Sequence, residues 1–317
     1  MTDYYNKYLK YKTKYLKLKS NDIDMIGGGK DNYGLAQYDF NANDFNYSGK
    51  KISNKSIFQC ASLSKQVFTI IVVKMIQNKK LHFDKTIYDY LTPIELNMFS
   101  INEYFDKRYK NITIRMLLNH TSGLPNFTPD NPLSFNPGTN YKYSGNAFNL
   151  LQKIVEKIEN KTLNEIYKGY KMKNSSFTFE NKFNKNLALP YDGDKTEKRF
   201  RYDYLQPFSA ATFYSNLEDY VNFIKDNNDI IKIMTKEQFK INKDISVGIG
   251  CLLCDGYIWQ YGDNHYYKNF LFYDPINNTG FISLSNNTHG WSLIKDKIPD
   301  KIKKFLFSEY KDKNLFE

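Results

Sequence analysis

The chain has 317 residues, 41% hydrophobic and 25% charged, which suits a globular protein with one large core or two small ones. Three cysteines exclude a disulfide framework, and no run of about 20 apolar residues offers a membrane span. The net charge of +11 is the only argument for a nucleic-acid partner, and no base-reading pattern accompanies it. The 27 tyrosines and 24 phenylalanines, among many Lys and Asn, indicate a compositional bias rather than a special chemistry.

The first element lies in residues 1–30. Tyr4, Tyr8, Tyr11, Tyr15 and Leu18 form one stripe, while Lys7, Lys10, Lys14 and Lys17 occupy other faces. This pattern predicts a basic amphipathic helix ending before the linker Gly27-Gly28-Gly29. Three readings fit it: docking on its own domain, a protein partner or packaging signal, or an anionic surface. Its Tyr-Leu-Lys-Tyr-Lys style resembles N-terminal segments of proteins encoded by large DNA viruses. With no secretory signal, the expected location is the cytoplasm of a host cell or a virus particle.

Tyr33 to Phe40 reads as a strand. The stretch Phe58-Gln59-Cys60-Ala61-Ser62-Leu63-Ser64-Lys65 passes from an extended run into an apolar helical pattern that continues over Val67 to Ile76. On a helix Ser62 and Lys65 share a face. A partly desolvated lysine so placed can serve as base to a serine nucleophile. From Leu81 to Leu205, helical patterns alternate with loops rich in Asn, Pro and Gly. Within this region Ile112 to Pro125 is a helix start running into a polar turn, with His120 read as a structural histidine bonded within its turn. Asn136 to Leu151 is a turn followed by a further helix. Ser215 and Glu218 have capping-box spacing.

Val247 to Asn286 gives four short apolar runs bounded by Asp255-Gly256, Gly262-Asp263-Asn264 and Asn277-Asn278, an antiparallel meander. Inside it Cys251-Leu252-Leu253-Cys254 lacks a second pair or a histidine cluster and reads as structural rather than zinc-binding. The basic run Lys295 to Lys313 interleaves Ile298, Ile302, Phe305 and Leu306, a closing helix with one buried face. Strands at both ends with helices between imply an α+β fold: an antiparallel sheet flanked by helices, with an inserted helical subdomain. The sheet part would comprise 31–80 and 206–317, the helical part 81–205.

Three segments, in this order, resemble the serine β-lactamase and penicillin-binding-protein superfamily, most closely its class C β-lactamase, D-aminopeptidase and esterase branch. Phe58 to Lys65 resembles F-x-x-A-S-x-[ST]-K. Leu117-Leu118-Asn119-His120-Thr121-Ser122-Gly123-Leu124 resembles the "LLxHTSGL" segment, and Pro137-Gly138 through Tyr143-Ser144-Gly145 resembles "PGxxxxYS[NG]". Weaker echoes occur at Leu81 to Lys85, Lys171 to Phe177, Ala211 to Asp219 and Phe270 to Asn286. The resemblance covers residues 32 to 310.

It implies the family's fold, with the active site in the cleft between sheet and helical subdomain, and neither cofactor nor metal. By position it makes Ser62 the acylated nucleophile and Lys65 its base. Tyr143 would shuttle a proton to the leaving group, its hydroxyl lowered by Lys65 as the neighbouring cation. Gly145 or Asn146 takes the third place of the Tyr-x-Asn pattern. Where the family carries Lys or His, then a variable residue, then Gly, this chain has Gln260-Tyr261-Gly262. Glutamine donates a hydrogen bond but brings no charge, which weakens the grip on a substrate carboxylate by about 1.5–3 kcal/mol. A shift of register would offer His265 as the cation, against a plain loop role. Gly262 would let a substrate approach the backbone, and the amides of Ser62 and Asp263 would form the oxyanion hole.

Two further departures stand out. The region before Phe58 lacks the usual apolar first strand, which predicts a reduced sheet edge, and Tyr266 takes a usual glycine position and would crowd the cleft mouth. Two functions follow from the resemblance. One is a hydrolase acting through a Ser62 acyl-enzyme on a small ester, amide or peptide-like substrate. The other is a non-catalytic descendant serving as a binding or structural module. Intact Ser62, Lys65 and Tyr143 favour the first; Gln260, Tyr266 and the altered N-terminus favour the second.

Overall fold

A computed structural model describes residues 34–49, 51–170, 172–192, 195–196, 204–312 and 315–316. The basic segment 1–30 lies outside the described residues. The chain opens with the hairpin β1 (Gly34–Asp39) and β2 (Asp44–Gly49). A short strand β3 (Phe58–Gln59) leads through a 3-10 turn, Ala61–Leu63, into helix α1 (Ser64–Gln77). Next come α2 (Pro93–Asn97), α3 (Ile114–Leu118), α4 (Gly145–Glu159) and α5 (Leu163–Tyr167). The small pair β4 (Tyr191–Asp192) and β5 (Lys195–Thr196) is followed by β6 (Tyr214–Ser215), α6 (Leu217–Asp226) and α7 (Asn228–Met234). The remaining strands are β7 (Phe239–Lys240), β8 (Ser246–Val247), β9 (Leu252–Cys254), β10 (Tyr257–Asp263), β11 (Lys268–Asp274) and β12 (Thr279–Ser285), and α8 (Asp300–Tyr310) ends the fold.

Eight strands form one antiparallel sheet in the order β2-β1-β12-β11-β10-β9-β8-β7. The expected meander is therefore its centre, and the expected reduced edge is not what the chain builds. The hairpin β1–β2 docks on β12 with Tyr38 opposite Ile282 and supplies that edge. Polar alternation in Asp44-Phe45-Asn46-Tyr47 hides a strand that a search for an apolar run passes over.

Period-2 alternation divides the sheet between two cores. On β10, Ile258 joins the large cluster that includes α1 and α4, while Trp259 and Tyr261 join a second cluster with Trp291, Ile302, Phe305 and Leu306 of the C-terminal segment. The face expected on the closing helix is thus buried against the sheet. Helix α1 is buried along nearly its whole length, from Ser64 to Val73, because it runs between the sheet and the helical elements. Helix α6 starts from Asn216, whose side chain accepts from the Asp219 amide at 2.9 Å. The expected capping pair gives way because Ser215 is held in β6, with its hydroxyl on Ser175 and the Asn216 carbonyl. All three cysteines are free and buried, and burial raises Cys254 to about 11. Among the described residues no helix is long and apolar enough to cross a membrane.

Candidate active site

The turn that carries Ser62 is held from several sides. Ala61 adopts φ +48°, in the left-handed region that a side chain with a Cβ seldom takes. Cys60 anchors the preceding residue by donating to the Phe213 carbonyl at 2.7 Å. The Ser64 hydroxyl donates to the Ala61 carbonyl and accepts from the Phe213 amide at 2.9 Å. The Tyr220 hydroxyl donates to the Leu63 carbonyl at 2.9 Å. These bonds fix the backbone on both sides of Ser62, which keeps the strained conformation in place.

Lys65 lies one helical turn on and is fully buried. Its Nζ donates to Ser62 Oγ at 3.1 Å and to the Ala210 carbonyl at 2.7 Å. The rings of Tyr143, Phe148 and Phe127 surround it, with centroids 4.8, 5.5 and 5.8 Å away. Tyr143, just before the N-cap of α4, brings its hydroxyl into interaction with the Ser62 hydroxyl. A serine hydroxyl thus meets a lysine amine and a tyrosine hydroxyl at one point. Desolvation dominates at Tyr143 and pushes its hydroxyl up from the ordinary value, against smaller opposing effects of its interactions with Ser62 and Gln260. The expectation of a tyrosine lowered by Lys65 is therefore corrected: the amine faces the ring rather than standing as the dominant charge beside the oxygen.

His120 reaches out of its turn instead of bonding within it. Its Nδ1 accepts from the Ser144 amide at 3.1 Å and its carbonyl accepts from the Lys142 amide at 2.9 Å. The two bonds grip the backbone on either side of Tyr143, and the imidazole packs on the Tyr143 ring at 4.5 Å. Burial, and to a smaller extent Lys65, holds His120 well below the ordinary imidazole value. With Nδ1 accepting, its single proton sits on Nε2. The sequence placed the bonding of His120 within its own turn, but its partner lies 24 residues on.

A family model described as Beta-lactamase matches residues 40–300. The chain belongs to the β-lactamase family. Among solved structures it is similar to a class C β-lactamase (TM-score 0.67, 14% identity, covering 89% of this chain and 91% of that one). A class C β-lactamase in complex with cefoxitin gives a TM-score of 0.67 at 15% identity, covering 90% and 94%. The penicillin-binding protein from Bacillus halodurans gives 0.62 at 17% identity, covering 81% and 91%. No curated protein sequence matches the chain significantly. At these identities the structures establish the antiparallel-sheet α+β fold of serine β-lactamases and penicillin-binding proteins.

Against this family fold, the remaining sequence candidates fall in less expected places. Gln260 lies on β10 with 1% of its surface exposed. Its Nε2 donates to the Tyr143 hydroxyl at 3.1 Å and to the Tyr261 carbonyl at 2.9 Å, so its amide nitrogen is turned into the protein. Tyr261 packs edge-on against Trp291 and Tyr310 and stacks on Tyr143 at 5.7 Å. Gly262 is required by the protein's own backbone: a Cβ there would lie 2.5 Å from the Cys60 carbonyl. The close approach expected for a substrate is thus made by the loop leading to Ser62. The Asp263 carboxylate accepts from Lys268 Nζ at 2.8 Å and from the His265 amide at 2.7 Å. His265 itself takes φ +82° in the turn after β10, and Tyr266 is buried in the large core cluster.

Gly145 and Asn146 bond to the loop that precedes α4. Gly145 donates to Asn126 Oδ1 at 2.8 Å, and Asn146 Nδ2 donates to the Thr128 carbonyl at 3.0 Å and Asn131 Oδ1 at 2.8 Å. Ser144 Oγ donates to the Pro125 carbonyl at 2.8 Å. Together they fasten the loop 125–131 onto the start of α4. That loop carries Phe127 at φ +51°, with its ring over Gly145, where a Cβ would come within 2.3 Å. Phe127 and the Ala210 carbonyl are site neighbours that sequence reasoning missed. Nothing in Asn126-Phe127-Thr128 or Ser209-Ala210-Ala211 signals contact with Lys65, because both contacts arise from folding of distant segments.

Proposed function

We propose that the protein is a serine hydrolase that acts through a Ser62 acyl-enzyme on a small ester, amide or peptide-like substrate. The observation that carries this reading is the convergence of Lys65 Nζ, 3.1 Å away, and the Tyr143 hydroxyl on Ser62 Oγ. A nucleophile with a base and a proton donor both beside it is what acyl transfer requires. In this reaction Ser62 Oγ bonds to the acyl carbon and its proton passes to the Lys65 amine. The carbon–leaving-group bond breaks, Tyr143 gives its proton to the departing oxygen or nitrogen, and Lys65 restores it. Water then releases the acyl group from Ser62 and the free serine re-forms.

The substrate class follows from charge. Gln260 is neutral and its amide nitrogen is committed to Tyr143 and Tyr261, while the Asp263 carboxylate is matched by Lys268. Neutral acyl groups suit such a strand edge better than carboxylate-bearing ones. Incubation with a fluorophosphonate followed by intact-mass spectrometry tests the reading. One adduct is expected on the native protein and none on Ser62→Ala. A folded protein that takes up no acylating probe overturns it.

A further inference from the structure

The proton arrangement around Tyr143 carries a more specific conclusion, which rests on the acyl-enzyme reading above. Glutamine presents a donor nitrogen and an acceptor oxygen, and its orientation is set by what surrounds it. Here a backbone carbonyl decides. The Tyr261 carbonyl only accepts, so the atom 2.9 Å from it must be Nε2. The same nitrogen lies 3.1 Å from the Tyr143 hydroxyl, and that oxygen therefore meets an N–H. A phenol has one proton, which cannot point at a donor. It is turned away from Gln260, and Ser62 is the other group that interacts with this hydroxyl.

We infer that Gln260 is a positioning residue that aims the Tyr143 proton at the reaction centre, so that Tyr143 works as a neutral phenol donating to the leaving group. An amide N–H orients the hydroxyl without adding the charge that would strip its proton. Burial then keeps the proton on the oxygen, and Tyr143 stays an acid across the neutral range. The base in this site is accordingly Lys65. His120 completes the mounting: it holds the backbone of the same tyrosine, while Gln260 holds its hydroxyl.

The test compares leaving groups, because protonation matters for an alkoxide and little for a nitrophenolate. We expect Gln260→Leu, which keeps bulk and removes the donor, to raise the ratio of kcat/KM for p-nitrophenyl acetate over that for ethyl acetate about ten- to a hundredfold. Tyr143→Phe should raise it at least as much, and the double variant no further than Tyr143→Phe alone. If Gln260→Leu lowers both esters alike while Tyr143→Phe changes the ratio, Gln260 is merely structural and the inference falls. Gln260→Met replaces the leucine variant if the latter does not fold. Failure of the acyl-enzyme reading looks different, because the native protein then takes no fluorophosphonate at all.

Discussion

The two walls that meet at Ser62 are built in opposite ways. On the Ser62 wall, Ser62 and Lys65 face each other; Ser64, Phe213 and Tyr220 hold the backbone around them, and the Ala210 carbonyl accepts from Lys65 Nζ. On the β10 wall the side chains answer mainly to the protein itself. Gln260 bonds Tyr143 and Tyr261, Gly262 makes room for Cys60, and Asp263 pairs with Lys268. The contrast separates two tasks. Ser62 and Lys65 are fixed by bonds from several segments, while Gln260 on β10 is turned inward to Tyr143.

The largest effect should come from the Ser62 wall. Ser62→Ala is expected to remove the covalent adduct and to lower turnover of any ester substrate by a factor of about a thousand or more, measured by steady-state kinetics. Residual turnover near the native value would show that the wall is not the reaction centre.

On the opposite wall, Gln260→Lys should restore a charge. Carboxylate-bearing esters are expected to gain about ten- to a hundredfold in kcat/KM relative to neutral ones, the worth of a charge-assisted hydrogen bond. Absence of any shift in that ratio would mean that β10 does not face the acyl group. The start of α4 offers a packing test. Gly145→Ala places a methyl where the Phe127 ring stands and should cost about 1–3 kcal/mol of stability in denaturant unfolding. Much of that loss should vanish in a Phe127→Ala background, because the clash disappears with the ring.

A smaller effect concerns pH. His120 is held neutral in the fold, well below its ordinary 6.5. In the unfolded chain the same imidazole takes up a proton near 6.5, so below that pH the unfolded state binds more protons. Stability should fall as pH drops through this window, by up to about 1.4 kcal/mol per pH unit for this one group. His120→Asn removes that contribution, and the difference between the two pH–stability curves isolates it. Parallel curves would place the histidine's titration elsewhere.

Much of this could be read from the chain alone, for reasons that differ by residue. Ser62 and Lys65 are three apart on one turn, so a single local geometry sets their contact. The apolar runs after Val247 had to pair as a meander because short turns join them, and the closing helix shows its buried face through Ile298, Ile302, Phe305 and Leu306. The β1–β2 hairpin was less legible because an edge strand needs few apolar residues. The basic pattern in residues 1–30 falls outside the described structure.

Sequence by itself determined the family, the α+β fold and the two residues, Lys65 and Tyr143, that meet at Ser62, because motif order and hydrophobic period are local properties of the chain. Tertiary structure alone decided what those residues face. Gln260 and Tyr143 are 117 residues apart and His120 and Ser144 are 24 apart. Phe127 reaches Lys65 only because the loop 125–131 is fastened to α4. The direction of a hydrogen bond, and hence which group gives up a proton, depends on neighbours that only the folded chain brings within 3.1 Å of each other.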